Sequence, residues 1–256
     1  MIFQPSQSSE TLVIILLNMY TEHPEFKIEK NKDLPLWRYM DFWKFLKLIN
    51  NSALFFPNIE MMGDQHEGKI PQKVYEWMLE GDEKLGRKNN SAQNYKGFIE
   101  NGLRKKTLIL SWNANKSEFF AFWKMYAKAK LGIAIKTNTE RLKKSFNDAP
   151  ENIYIGEVRY YDDDNPEYRI GNTFYTFLTK NKYYEFESEV RCITEISNED
   201  DGTTKNIKVN LNELIEEVYI SPFAEQSGLL EIINCLKDKN NLNFKICISG
   251  VNDTWI

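Results

Sequence analysis

Five short segments constrain this chain more than any other feature: "KKTLILSWN", "LGIAIKT", "IYIGEVRYY", "EVYISP" and "FKICISG". Each is rich in Ile, Val, Leu or aromatic residues and is bounded by turn formers, so each reads as a β-strand. They crowd the second half of the chain, with helical patterns between some of them. "DFWKFLKLINNS" places Phe42, Phe45, Leu46 and Ile49 on one helical face, with Asp41 at its N-cap. Asn115 and Glu118 form a capping-box pattern before "KSEFFAFWKMYAKA", and "AEQSGLLEIINCLK" reads as a late helix. "LWRYM" and "ALFFPN" read as earlier strands, the second stopped by Pro57, and "FYTFLTKNK" reads as helical. The expected fold is α+β: a single domain over 36–256 with a mixed, strand-rich sheet and flanking helices. Residues 1–35 are expected to form a helix, "SSETLVIILLNMY", and a polar linker. The stretch from Glu60 to Gly102 is turn-rich around a helix at 71–80 and is expected to be mobile. Gly156 reads as a bulge.

Composition narrows the class. With 256 residues, 42% hydrophobic and 14% aromatic, the chain buries a substantial core and is not a disordered polymer. A net charge of −4 argues against nucleic-acid binding by the whole molecule. Charge is unevenly spread, however: Arg104 to Lys144 holds eleven Lys or Arg against two acids, Glu118 and Glu140. That region is either a basic surface for a phosphate-bearing ligand or a set of solvated lysines on helix backs. Cys192, Cys235 and Cys247 show no CxxC or CxxH spacing, and His23 and His66 are the only histidines. A zinc site and a disulfide framework are both unsupported, and a reducing, cytoplasmic setting is expected. "LVIILL" is too short to span a bilayer and "MIFQPSQSSE" lacks signal-peptide charge, so no membrane role is expected.

The chemistry concentrates in "YYEFESEVRCIT", Tyr183 to Thr194. On a strand, Glu185, Glu187, Glu189 and Arg191 face one way and Tyr184, Phe186, Ser188, Val190 and Cys192 the other. Same-face carboxylates roughly 7 Å apart repel by about 0.6 kcal/mol in water and about 2.4 kcal/mol at an effective dielectric of 20. A solvated face tolerates that, whereas a cleft needs compensating cations or ligand hydroxyls. As a helix, the same stretch would make Glu187 and Arg191 an ordinary i, i+4 pair.

Several segments, in order, resemble a bacterial family catalogued as "domain of unknown function 2971". They are "LWRYM", "NNSALFFPN", "MMGDQHEG" (through Asp64, Glu67 and Gly68), "LILSWN" with "AFWKMYAKAKLGIAI", "NKYYEFESEVRCI" and "EVYISPFAEQSGLLEII". Together they span roughly 36–238. That family name implies no function. The order of an Arg-bearing first strand, a Ser ending a middle strand and a Glu-x-Glu strand also looks like the three motifs of ADP-ribosyltransferases. That likeness implies NAD as substrate and a catalytic set of Glu189, with Glu187 as the upstream acid and Arg191 orienting Glu189. It also implies Arg38 and neighbouring Tyr39 at the ribose or phosphates, and Ser111 with Trp112 organising the nicotinamide pocket. Trp123, Tyr126 or Trp112 would serve as aromatic platform. Each residue has an ordinary rival role: Arg38 at a strand end, Ser111 in a turn, Trp123 and Tyr126 in the core.

Three functions therefore compete. The first is ADP-ribosyl transfer to a protein or nucleic acid, or NAD hydrolysis, by a toxin or phage-defence effector with a possible antitoxin or defence partner. The second is a non-enzymatic nucleotide- or partner-binding module. The third is a nuclease holding Mg²⁺ or Mn²⁺ on Glu185, Glu187, Glu189, Asp64 and Glu67. The first reading calls for no metal.

Overall fold

The computed structural model describes residues 21, 23, 24, 26–28, 33–87, 90–127, 131–162, 173–196 and 203–251. The N-terminal helix expected in 1–20 lies outside the described residues. Eleven strands are described: β1 (Pro35–Asp41), β2 (Ala53–Pro57), β3 (Thr107–Asn113), β4 (Gly132–Asn138), β5 (Tyr154–Glu157), β6 (Arg159–Tyr161), β7 (Thr179–Asn181), β8 (Glu189–Glu195), β9 (Thr204–Lys208), β10 (Glu217–Ile220) and β11 (Lys245–Ile248). Seven form one sheet in the order β11-β10-β4-β1-β3-β8-β5. All neighbours are antiparallel except β10 and β11. The sheet is therefore mixed and strand-rich, and the domain is α+β. Antiparallel β2–β9 and parallel β6–β7 form two small ribbons.

Alternation along the strands explains where the core lies. One face carries Leu36, Met40, Leu110, Trp112, Ile133, Ile135, Val190 and Cys192. It is covered by the helices Phe42–Asn51, Thr139–Ser145 and Gln226–Lys239 through Phe45, Ile49, Leu142, Leu229 and Ile233. The opposite face carries two separate apolar clusters. Trp37, Tyr39 and Ala134 pack on Phe122 and Trp123 of the helix Phe120–Tyr126. Ile109 and Ile193 pack on Phe26, Ile59, Phe177 and Leu178. Between those clusters the central strands β3 and β8 present Ser111, Glu189 and Arg191, a polar gap in an otherwise apolar layer.

The sheet is weakly joined at its middle. Strand β1 pairs with β4 along its whole length and β3 with β8 along theirs, but β1 and β3 register only at Trp37↔Asn113. Half-buried Arg38 fills this split by donating to the Ser111 carbonyl, an acceptor that a fully paired β1 would otherwise reach.

Several local expectations are corrected. Residues Lys182–Glu187 form a 3₁₀ helix, and β8 begins only at Glu189. Ser188, at φ 42° and ψ 56°, reverses the backbone between them, so Glu185 and Glu187 do not alternate with Glu189 on one strand. The capping box at Asn115–Glu118 does not form: the helix starts at Phe120, and Glu118 instead accepts from the Trp123 indole at 3.1 Å. Asp41 stands at an N-cap position without a side-chain bond to the helix. "FYTFLTKNK" splits into the helix Thr173–Phe177 and β7. Gly156 is no bulge; it pairs in register with Arg191, and an added Cβ would stand 3.0 Å from Phe26 Cα. Within 60–102 the chain forms the helices Gln72–Lys84 and Ser91–Gly97.

Candidate active site

Five ionised side chains meet in the polar gap. Arg191 is fully buried at the centre of β8. Its Nε donates to Glu189 Oε1 at 2.9 Å and its Nη2 to Glu189 Oε2 at 3.0 Å. Nη2 also donates to both Glu67 oxygens at 2.9 Å, and Nη1 to the Phe177 carbonyl at 2.7 Å. The forked guanidinium thereby joins two carboxylates and a backbone acceptor. Lys180, from β7, sends its ammonium among three carboxylates: Glu187 at 2.7 Å, Glu67 at 3.1 Å and Glu189 at 3.5 Å. The Tyr184 ring lies under it, 4.6 Å from nitrogen to centroid. Glu67, Glu187 and Glu189 are all buried, so this network balances three carboxylates against two cations.

Hydroxyls complete the shell. The Ser111 hydroxyl donates to Glu189 Oε1. Tyr126 donates its hydroxyl to Glu187 Oε1 at 3.1 Å, and Tyr160 accepts from the Glu189 backbone N–H at 2.8 Å. Asn113 donates to the Glu187 carbonyl at 3.0 Å, fixing the end of the 3₁₀ helix to β3. Tyr126 is 38% exposed, while Glu187 and Glu189 are both buried.

The electrostatics follow from burial and pairing. Burial favours the neutral form of Glu189, but the Arg191 charge and its hydrogen bonds, with Lys180 and Ser111, outweigh it and hold the carboxyl at about 2. Burial likewise disfavours the Lys180 ammonium, yet Glu189 and Glu67 raise its pKa above the ordinary lysine value. Burial and the Glu187 charge push the Tyr126 phenol up, so it stays a donor at neutral pH.

The sequence-derived site residues separate on this geometry. Ser111, Glu187, Glu189, Arg191 and Tyr126 converge. Among the described residues, Arg38 is linked to them only through the Ser111 backbone. It alternates with Leu36 and Met40, and burial lowers its guanidinium to about 10. No carboxylate among the described residues pairs with it. It therefore does not approach Glu189 across a common pocket as the motif order implies. Trp112 is fully buried on the other face of the sheet. Trp123 is a core residue bonded to Glu118, and Tyr39 packs edge-on against it at 4.9 Å while accepting from the Phe119 N–H. None of these three is an available ring platform; of the rings expected to serve as one, Tyr126 alone lies at the site, where Tyr160 and Tyr184 also stand.

Lys180 and Tyr160 were not expected at the site, and Glu67 was expected only in the family-like segment with Gly68 or as a metal ligand, not as a partner of Arg191. Asp64 is half-buried and organises the turn by accepting from the His66 N–H at 2.8 Å. Gly68 fixes Glu67 in place. Its φ is +67°, and an added Cβ would meet Ile59 Cδ1 at 2.6 Å and Phe177 Cε1 at 3.0 Å. Gly68→Ala is expected to cost about 2–3 kcal/mol of stability, combining left-handed strain with overpacking. Urea unfolding measures it, and a midpoint equal to the native one would refute the assignment.

Among the described residues no group of three or more His, Cys, Asp or Glu is suited to a metal, and Lys180 occupies the centre of the carboxylate cluster. No described helix is long and apolar enough to cross a membrane.

No family model matches the chain, so the likeness to domain of unknown function 2971 has no counterpart there. No curated protein sequence matches it either. Solved structures of Thermus sp. 2.9 DarT are similar to it at low identity. The complex with NAD+ aligns at 8% identity and TM-score 0.39, covering 86% of this chain and 96% of that one. The complex with carba-NAD+ aligns at 10% and 0.41, covering 86% and 97%. The complex with ADP-ribosylated ssDNA aligns at 11% and 0.39, covering 84% and 94%.

Proposed function

We propose that this protein is an NAD-consuming enzyme of the ADP-ribosyltransferase type, transferring ADP-ribose to a macromolecule or to water. The observation that carries the reading is Glu189, a buried carboxylate held ionised by Arg191 and bonded to the Ser111 hydroxyl. Cleavage of NAD breaks the bond between ribose C1 and the nicotinamide nitrogen. The electron pair leaves with nicotinamide, which becomes neutral, and the ribose develops oxocarbenium charge. A fixed carboxylate about 5 Å away stabilises that charge by about 3 kcal/mol at an effective dielectric of 20. The excess of one carboxylate over the network's cations suits the nicotinamide ribosyl end of NAD, which is cationic before and during cleavage. An acceptor O–H or N–H then bonds to C1 and gives up its proton, for which Glu187, bonded to the part-exposed Tyr126, is the base this reading assigns. The acceptor is a protein, a nucleic acid or water, in a cytoplasmic toxin or phage-defence setting.

Incubation of the pure protein with NAD is expected to release nicotinamide. Glu189→Gln removes the charge at constant shape and is expected to slow release at least 100-fold. Equal release from both proteins, or none with candidate acceptors present, removes the reading. A second reading, a non-enzymatic nucleotide- or partner-binding module, is favoured by one observation: Glu189 is already saturated by Ser111 and Arg191. Retained biological activity in a Glu189→Gln, Arg38→Gln double variant would select it. The metal-dependent nuclease is disfavoured, because the Lys180 ammonium stands where its cation would bind.

A further inference from the structure

Lys180 has no place in the Ser and Glu-x-Glu pattern, yet among the described residues it is the only group that touches all three buried carboxylates of the site. Glu187 and Glu189 lie on different elements, the 3₁₀ helix Lys182–Glu187 and strand β8. Their carboxylates have no bond to each other and repel. Asn113 ties down the Glu187 backbone, but among the described residues the Glu187 side chain bonds only Tyr126 and Lys180. Lys180 draws one oxygen of Glu187 and one of Glu189 to within about 6 Å of each other, both contacting a single nitrogen. Its own place is set twice over. Strand β7 pairs with β6 at Tyr160↔Lys180, and Tyr160 also bonds the Glu189 N–H. The same short ribbon thus fixes the ammonium and the strand that carries Glu189.

We propose that Lys180 is a positioning residue that sets the separation between Glu187 and Glu189, which rests on the reading that these two acids act on the ribosyl group of NAD. An ammonium is the fitting tether here. It is a compact point charge with three donors, and three carboxylates surround it. Tyr184 beneath it and only 10% side-chain exposure keep water from taking its place.

The test compares native protein with Lys180→Met and Lys180→Arg. Lys180→Met is expected to cut kcat for nicotinamide release about 30-fold or more while KM for NAD stays within about threefold, since a misplaced acid affects the transition state rather than ground-state binding. Lys180→Arg retains charge and donors and is expected to recover at least a third of the lost activity on a logarithmic scale. Amide hydrogen exchange in native protein and Lys180→Met should differ at 183–187 and not in β3, which a general loss of folding would not produce. Lys180→Met with kcat within threefold of native, or Lys180→Arg no better than Lys180→Met, overturns the proposal. If Lys180→Met does not fold, the Lys180→Arg comparison alone decides, with full loss counting against it. Native protein that releases no nicotinamide overturns the NAD reading itself. That failure is distinguishable, because the exchange at 183–187 would still respond to Lys180→Met.

Discussion

Arg191→Met is expected to lower the folding free energy by about 3–5 kcal/mol, the largest loss from any single substitution in the site. Arg191 is fully buried and donates to Glu67, Glu189 and the Phe177 carbonyl. Its removal leaves Lys180 alone against three buried carboxylates and strips a backbone acceptor of its partner. Methionine fills much of the volume, so the loss reports the stranded charges rather than a cavity. Arg191→Lys is expected to cost somewhat less, because an ammonium keeps the charge but cannot bridge Glu67, Glu189 and a carbonyl in one plane. Replacing the whole set (Arg191→Met, Glu67→Leu and Glu189→Leu) is expected to regain part of the stability, because apolar side chains need no counterion. Urea midpoints at pH 7 with unchanged slopes measure all three effects. An Arg191→Met midpoint within experimental scatter of native would mean that the network does not hold the sheet to the Glu67 loop.

The fold was legible where burial is continuous. Strands β3, β4, β8 and β10 are buried on one or both faces, and their apolar residues say so directly, whereas β11 is an edge strand with no fully buried residue. Glu189 and Arg191 were legible as a pair because they do occupy one strand face two residues apart. "YYEFE" misled because aromatic and acidic residues alternating with period two imitate a strand, while tertiary contacts selected a 3₁₀ turn closed at Ser188. Glu118 failed as a capping residue because the Trp123 indole, buried in the apolar cluster, had the greater need of an acceptor. Trp123, Trp112 and Tyr39 drew attention for their rings, and the same apolar bulk put them in the core. Lys180 carried no signal: one lysine in "TKNK" looks like its neighbours, and only the pairing of β7 with β6 turns it inward. Glu67 was visible only beside Gly68, whose positive φ gives the turn its shape. Part of the basic stretch 104–144 likewise became internal pairing, with Arg104 on the Glu67 carbonyl, Lys136 on Glu217 and Arg141 on the Asn212 carbonyl.

Glu189 also couples stability to acid in a way that separates it from other carboxylates. Its folded-state value of about 2 lies below the ordinary 4.5, so the sign is that of a depressed carboxyl. Above pH 4.5 the group is ionised in folded and unfolded chains alike, and its full contribution is present. Between 4.5 and 2 the unfolded chain binds a proton that the folded protein does not, and stability falls. Below 2 both states are protonated and the contribution is gone. A gap of that size corresponds to about 3 kcal/mol. Lys180 and Arg191, both raised above their ordinary values, remain charged throughout and add no slope. Asp82 and Glu217, also held low by their partners, titrate alike in native and Glu189→Gln proteins and cancel in the difference. The stability advantage of native protein over Glu189→Gln is therefore expected to shrink by about 3 kcal/mol between pH 5 and pH 2, read from urea midpoints along that range. Parallel curves would show that Arg191 and Lys180 do not hold the Glu189 carboxyl below its ordinary range. They would withdraw the claim that this network stabilises the Glu189 charge, because a carboxyl that binds protons equally well in folded and unfolded chains gains nothing from its partners.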